Sequence, residues 1–234
     1  MMNAGVDVLK NHNLPIQIEG FPYILVGFLL TTAGAIVWRA QMVEGGLVWV
    51  PAIGTILFAL FTLFSIWFYR NPVRNIPNDP SAILSPADGR VLKIEEINGS
   101  RIGQEKAKKV SIFMSPLDVH VNRSPIHGVI EKIDYVKGKF FKADLDKASE
   151  ENEHNWVVMK SERGFRVAFV QIAGFVARRI VCYVKSGQTL DSGERFGMIR
   201  FGSRMEVIVP YSSEILVKPG EKTVAGETKL AKIQ

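Results

Sequence analysis

Residues Arg195 to Pro210 read RFGMIRFGSRMEVIVP. Phe-Gly occurs twice, at Phe196-Gly197 and Phe201-Gly202, and after the second pair Ser203 opens a run that alternates like a β-strand. The Gly-Ser junction lies about thirty residues from the end of the chain, between Arg200 and Arg204. Ser203 therefore has two readings. It is a turn residue at a loop-to-strand junction, or its hydroxyl is chemically used and the chain breaks there.

The same signal continues outward from this stretch. GRVLKIEEI, KKVSIFMS, DVHVNRSP, HGVIEKIDYVKG, NWVVMKSE, FRVAFVQIAG, RRIVCYVKSG and SEILVKPG alternate or run apolar, each bounded by Gly, Pro, Asn or Ser. The fold class is mainly β, a compact barrel or sandwich spanning residues 85–234. Residues 70–84 carry Pro72, Pro77 and Pro80, which disfavour helix interiors and central strands, so they read as an extended linker. Phe140 to Glu153, FFKADLDKASEENE, is polar and acidic at its end, and reads as a short helix or a loop.

Residues 1–69 are of another kind. Phe21 to Trp38 has no charge over 18 residues, and Leu47 to Tyr69 none over 23. A helix needs about 20 residues to cross a hydrocarbon core. The short connection Arg39 to Gly46 makes the pair an antiparallel transmembrane hairpin, with Trp and Tyr near the segment ends. Two other readings stay open: a signal peptide cut after Ala33-Gly34-Ala35, or a re-entrant hairpin interrupted by Pro22, Gly27, Gly34, Pro51 and Gly54. Lys10 and Arg39 against Asp7, Glu19 and Glu44 give residues 1–69 a net charge of −1, so the chain's +6 leaves +7 beyond them. Arg70 and Arg74 directly after the second segment place the β domain on the cytoplasmic side of the cell membrane. The single Cys182 has no disulfide partner, and the four histidines lack metal-binding spacing, so no metal is expected. The sequence carries no nucleic-acid-binding signature, and a homodimer stays open.

Three stretches set a reactive side chain among residues that constrain the backbone. Asp88 stands in SPADGRV, His120 in SPLDVHVNRSPIHG and Ser203 in RFGSRM. Each has an ordinary explanation: a Pro-x-Asp-Gly turn, a packed strand histidine, a Gly-Ser loop. Together they supply an acid, a base and a hydroxyl, the set that activates a serine.

SPADGRV, then FMSPLDVHVNRSP, then QIAGFVARRIVCY, then GERFGMIRFGSRMEV, in that order, resemble the phosphatidylserine decarboxylase family in its short, membrane-anchored branch. The resemblance implies a self-cutting proenzyme. Ser203 attacks the carbonyl of Gly202, the acyl group shifts from N to O, and elimination and hydrolysis leave a pyruvoyl group with loss of ammonia. The cut separates a large chain, 1–202, from a small chain, 203–234. The pyruvoyl forms a Schiff base with the amine of a phosphatidylserine-type lipid and accepts the electrons left by CO₂, giving the ethanolamine lipid. No external cofactor is implied.

In this reading His120 is the base for cutting, oriented by Asp88, and later the acid that protonates the substrate carbon. The longer branch of the family has a second histidine three residues on, where this chain has Arg123, so His120 does both tasks or His127 substitutes. Arg123, Arg178 and Arg179 are the candidates for the lipid phosphate or the serine carboxylate, since Arg presents a fork to either anion. Two other readings remain: a membrane-anchored serine hydrolase using the same three residues, and a lipid-binding β domain without catalysis.

Overall fold

The computed structural model describes residues 14–141, 151–175, 179–200 and 202–233. These fall into two compact units, Asn13–Pro72 and Val73–Gln234.

The first unit is a helical hairpin, α1 (Phe21–Glu44) and α2 (Trp49–Phe68). Both are long and apolar enough to cross a membrane, which accounts for the membrane association of the chain. α1 runs on through Arg39 to Glu44, past the point where the uncharged stretch ends. The sequence RAQMVE holds good helix formers and no breaker before Gly45, whose left-handed conformation (φ 74°) stops the helix. The connection therefore shrinks to four residues. The two helices approach closely where glycine faces threonine: a Cβ on Gly27 would stand 2.5 Å from Thr62 Oγ1, and one on Gly34 2.6 Å from Thr55 Oγ1. The hydroxyls of Thr55 and Thr62 donate to the carbonyls of Pro51 and Phe58, so neither hydroxyl is left bare in an apolar setting.

The second unit is built of antiparallel strands. In chain order they are β1 (Ala82–Leu84), β2 (Gly89–Asn98), β3 (Lys106–Met114), β4 (Val121–Arg123), β5 (Gly128–Val136), β6 (His154–Lys160) and β7 (Arg166–Ile172). Then come β8 (Ile180–Cys182), β9 (Thr189–Leu190), β10 (Arg195–Ile199), β11 (Ser203–Pro210), β12 (Glu214–Ile215), β13 (Lys222–Thr223) and β14 (Lys229–Lys232). A large curled sheet has the order β13-β2-β3-β11-β7-β6-β5-β9, with two small sheets, β1-β14-β12 and β4-β10-β8. The mainly β architecture is the one the strand-length alternation predicts. β1 falls inside the stretch read as linker, because Ala82-Ile83-Leu84 is an apolar run past the last of its prolines and is wholly buried. Most of the segment Phe140 to Glu153 lies outside the described residues.

The core sits on the inner face of the large sheet, where Val91, Val110, Ile112, Phe169 and Val207 meet Ile83 and Phe196. The Phe169 and Phe196 rings meet edge to face at 4.6 Å. The other face is covered too, by a smaller cluster of Ile102, Ala107, Ala168, Val170 and Ile208. This is why β11 departs from the half-buried alternation that its sequence suggests. All eight of its residues are buried, Arg204 and Glu206 included.

Antiparallel register fixes what shares an end of the sheet. Arg90 pairs with Phe113, Ser203 with Met114, Arg204 with Ile172, and His154 with Ile172. The start of β2, the end of β3, the start of β11 and the end of β7 thus lie side by side. The loops that leave or enter there carry Asp88 and His120, and Ser203 heads β11.

Candidate active site

Ser203 is the first residue of a central strand. Its Oγ lies 3.3 Å from the Met114 sulfur directly across the β3–β11 ladder, and the residue is wholly buried. Gly202 before it has φ 59°, in the left-handed region open to glycine at little cost, and nothing lies within 4 Å of where a Cβ would stand. The chain turns sharply at Gly202 and is then gripped on both sides. The two glycines of the repeated Phe-Gly do different work. At Gly197 the backbone is ordinary, but a Cβ would stand 2.3 Å from the Val181 carbonyl and 2.8 Å from Gln171 Nε2.

His120 comes to the same end of the sheet by the loop after β3. Its carbonyl accepts the Ile199 amide at 3.4 Å, four residues before Ser203. The ring is wholly buried, and Nδ1 lies 3.0 Å from the Asp118 carbonyl. A carbonyl only accepts, so Nδ1 carries the proton, and in the neutral ring the lone pair is at Nε2. The orienting group at Nδ1 is thus a main-chain carbonyl.

Asp88 is held otherwise. Its carboxylate takes Arg74 Nη2 at 2.8 and 2.9 Å on its two oxygens, and Oδ1 also accepts the Ala225 amide at 2.8 Å. Arg123 stands near this pair, and directly opposite Arg195 in the β4–β10 ladder. Burial, together with the positive charges of Arg195 and Arg74, pushes the Arg123 guanidinium down to about 10, against the pull of Asp88 and Glu227. It stays charged at neutral pH, and one of its nitrogens donates to the Gly193 carbonyl at 2.9 Å. By strand alternation Arg123 lies on the face of β4 opposite Asn122.

The remaining expected residues scatter. Arg179 is exposed just before β8, with its carbonyl accepting the Arg200 amide at 3.2 Å, while Arg178 lies outside the described residues. His127 precedes β5 at the end of the large sheet opposite to Ser203. It bridges Asp191 (3.0 Å) and Glu162 (3.2 Å), whose carboxylates raise its pKa. Among the described residues no three His, Cys, Asp or Glu side chains come together as a metal site. Cys182 is half-buried, which pushes its thiol up and leaves it a poor nucleophile.

Sequence reasoning missed a buried polar chain beside Ser203. Asn155 Nδ2 donates to Gln171 Oε1 at 3.0 Å, Gln171 Nε2 donates to Asn122 Oδ1 at 2.9 Å, and Asn122 Nδ2 lies 3.8 Å from the Met114 sulfur. These three amides are at most 1% exposed. The signal was a polar residue at an inward position of an apolar strand: Asn122 in VHVNR and Gln171 in FVQIAG. It also missed Arg204 and Glu206, buried on the other face of β11.

A family model described as phosphatidylserine decarboxylase matches residues 61–231. A phosphatidylserine decarboxylase proenzyme of Pelobacter propionicus is 44% identical over 96% of this chain and 100% of its own length. That of Geobacter sulfurreducens is 44% identical over 95% and 98%, and that of Syntrophus aciditrophicus 45% identical over 94% and 98%. With the family model spanning most of the chain and relatives of this similarity aligned nearly end to end, the chain belongs to the phosphatidylserine decarboxylase family.

Proposed function

We propose that this chain is a membrane-bound decarboxylase that converts phosphatidylserine, or a similar serine phospholipid, to its ethanolamine form, and that it makes its own pyruvoyl group by cutting between Gly202 and Ser203. The observation that carries the reading is the junction itself: a glycine in the left-handed region followed by a buried serine at the head of a central strand. The residues fit the group. Ser203 supplies the three carbons, Gly202 the reachable carbonyl, and pairing of β11 with both neighbours the means to retain a new chain end.

The hydroxyl of Ser203 adds to the Gly202 carbonyl, and the C–N bond breaks as the acyl group passes to oxygen. Loss of the α-proton expels the Gly202 carboxylate, and water then replaces the nitrogen, which leaves as ammonia. In our reading His120 takes the hydroxyl proton at Nε2, its tautomer fixed by Asp118. It later returns a proton to the substrate carbon. The pyruvoyl group supplies an electrophilic carbonyl and electron sink for the amino-bearing carbon of the lipid head. Asp88 is bound to Arg74 and the Ala225 amide, so we assign it to holding the basic cluster of Arg74 and Arg123 rather than to orienting His120. Arg123 and Arg179 remain candidates for the lipid phosphate or carboxylate, with Arg178. Arg70 and Arg74 directly after α2 support a cytoplasmic β unit in this reading.

Purified protein on a denaturing gel with intact mass tests this. Two chains are expected, the smaller blocked at its amino end and about 17 Da lighter than residues 203–234 with serine. Ser203→Ala should remain uncut and inactive. A wild-type chain that stays whole yet decarboxylates the lipid would sink the proposal.

A further inference from the structure

Among the described residues of the β unit, the most exposed large apolar side chains are Val73 (89%), Leu117 (65%) and Phe175 (58%). They are not scattered. Leu117 lies in the loop after β3, whose last residue, Met114, is the ladder partner of Ser203. Phe175 lies three residues after the end of β7, where Ile172 faces Arg204. Val73 precedes Arg74, whose guanidinium binds Asp88 immediately before β2. All three belong to segments at the Ser203 end of the large sheet. Exposed Arg179 and partly exposed Arg200 join them there.

Single exposed leucines are ordinary on a soluble surface, but loop-tip apolar residues gathered at one end and flanked by arginines are the pattern of a surface seated in a lipid interface. The apolar tips gain by leaving water, and the guanidinium groups gain from the negative surface potential of an anionic leaflet. The rest of the chain favours the same partner. Val73 follows the second membrane-length helix by only five residues, and His120 follows Leu117 by three.

We propose that the Ser203 end of the β unit docks directly on an anionic phospholipid bilayer, with Leu117 and Phe175 inserted beneath the head groups. This contact is additional to the hairpin. It sets His120 and Ser203 at head-group depth, so that a lipid could reach the site without leaving the membrane wholly. The claim rests on the proposed function only in naming that lipid as the substrate.

The test uses the full chain with Cys182→Ser and a nitroxide on Leu117→Cys, Phe175→Cys or, as a control at the other end of the sheet, Arg163→Cys. In vesicles of phosphatidylglycerol and phosphatidylcholine, the first two labels should show an oxygen-to-nickel accessibility ratio about threefold or more above the control. Labels at 117 and 175 as open to the water-soluble nickel complex as the control would overturn the proposal. So would protection already present in detergent and growing with protein concentration, which would assign this face to a second copy of the chain. Activity gives a second readout. In Leu117→Ser/Phe175→Ser the ratio of rates on vesicle lipid to dispersed short-chain lipid should fall about tenfold, and Leu117→Trp/Phe175→Trp should restore it. An unchanged ratio counts against docking. Label depth needs no turnover, so a wild type that neither cuts nor decarboxylates would refute the proposed function while leaving docking to be judged by itself.

Discussion

Arg204 and Glu206 stand two residues apart on one face of β11 and form an ion pair of 2.9 Å, with side chains 0% and 4% exposed. Arg204 also donates to Ser111 Oγ at 2.9 Å, and Lys109 Nζ lies 3.7 Å from the same carboxylate. Such a pair adds little net stability, but removing one member strands a buried charge at a cost of about 3–5 kcal/mol. Arg204→Met and Glu206→Met should each lose that much, and the double variant should lose clearly less than the sum. Urea unfolding in a Ser203→Ala background, where the chain stays whole, measures all three.

The two histidines should separate cleanly. His120→Ala is expected to slow cutting or turnover by about 10²–10⁴, the usual worth of a positioned acid or base. His127→Ala, at the other end of the sheet, should leave both within a few-fold. Gel analysis of freshly made protein gives the first and CO₂ release the second; normal processing and full activity in His120→Ala would move the role to another residue.

The glycines of the repeated Phe-Gly should fail in different ways. Gly202→Ala meets no neighbour but must hold a left-handed backbone, costing about 1–2 kcal/mol, and should slow cutting while the fold persists. Gly197→Ala drives a methyl into the Val181 carbonyl and the Gln171 amide, so its defect should appear as lost stability. Comparing processing half-time with the urea midpoint tells the two apart.

His127 gives stability a pH dependence of known sign. Its hydrogen bond to Glu162, helped by a weaker one to Asp191, raises its folded pKa above 6.5 against desolvation, the second-largest influence. The contribution is thus fully present below pH 6.5 and lost as pH rises through the raised folded value. The site is exposed, so the effect should stay under about 1 kcal/mol. In His127→Gln the difference in urea midpoint between pH 6 and pH 9 should shrink accordingly.

How far the chain could be read in advance varies with the range of the forces involved. Strands showed through because alternation and Gly or Pro boundaries are local, and the hairpin because its length must match a bilayer. The extension of α1 past Arg39 was hidden, since charge loss says where an apolar stretch ends and not where a helix does. Asp88 and His120 were singled out from their local settings, yet their partners, Arg74 and the Asp118 carbonyl, were not. Nothing in SPADGRV says which cation will fold back on it, and a main-chain acceptor leaves no mark in a sequence. In the Asn155–Gln171–Asn122 chain the polar residues showed but their partners did not, because the bond from Gln171 on β7 to Asn122 on β4 crosses between two sheets that only tertiary packing brings together. Full burial of β11 depended on the cluster around Ile102 and Ile208 covering its second face.

The position of β11 gives a cut at Gly202 an unusual outcome. Residues 203–234 would hold β11 between β3 and β7, β13 against β2 and β14 against β1. The two products would form a heterodimer whose interface is the interior of one domain. Dissociation would then amount to unfolding, and a small chain made separately would have no edge on which to enter. Subunit exchange between two populations of the mature protein should be as slow as its global denaturation.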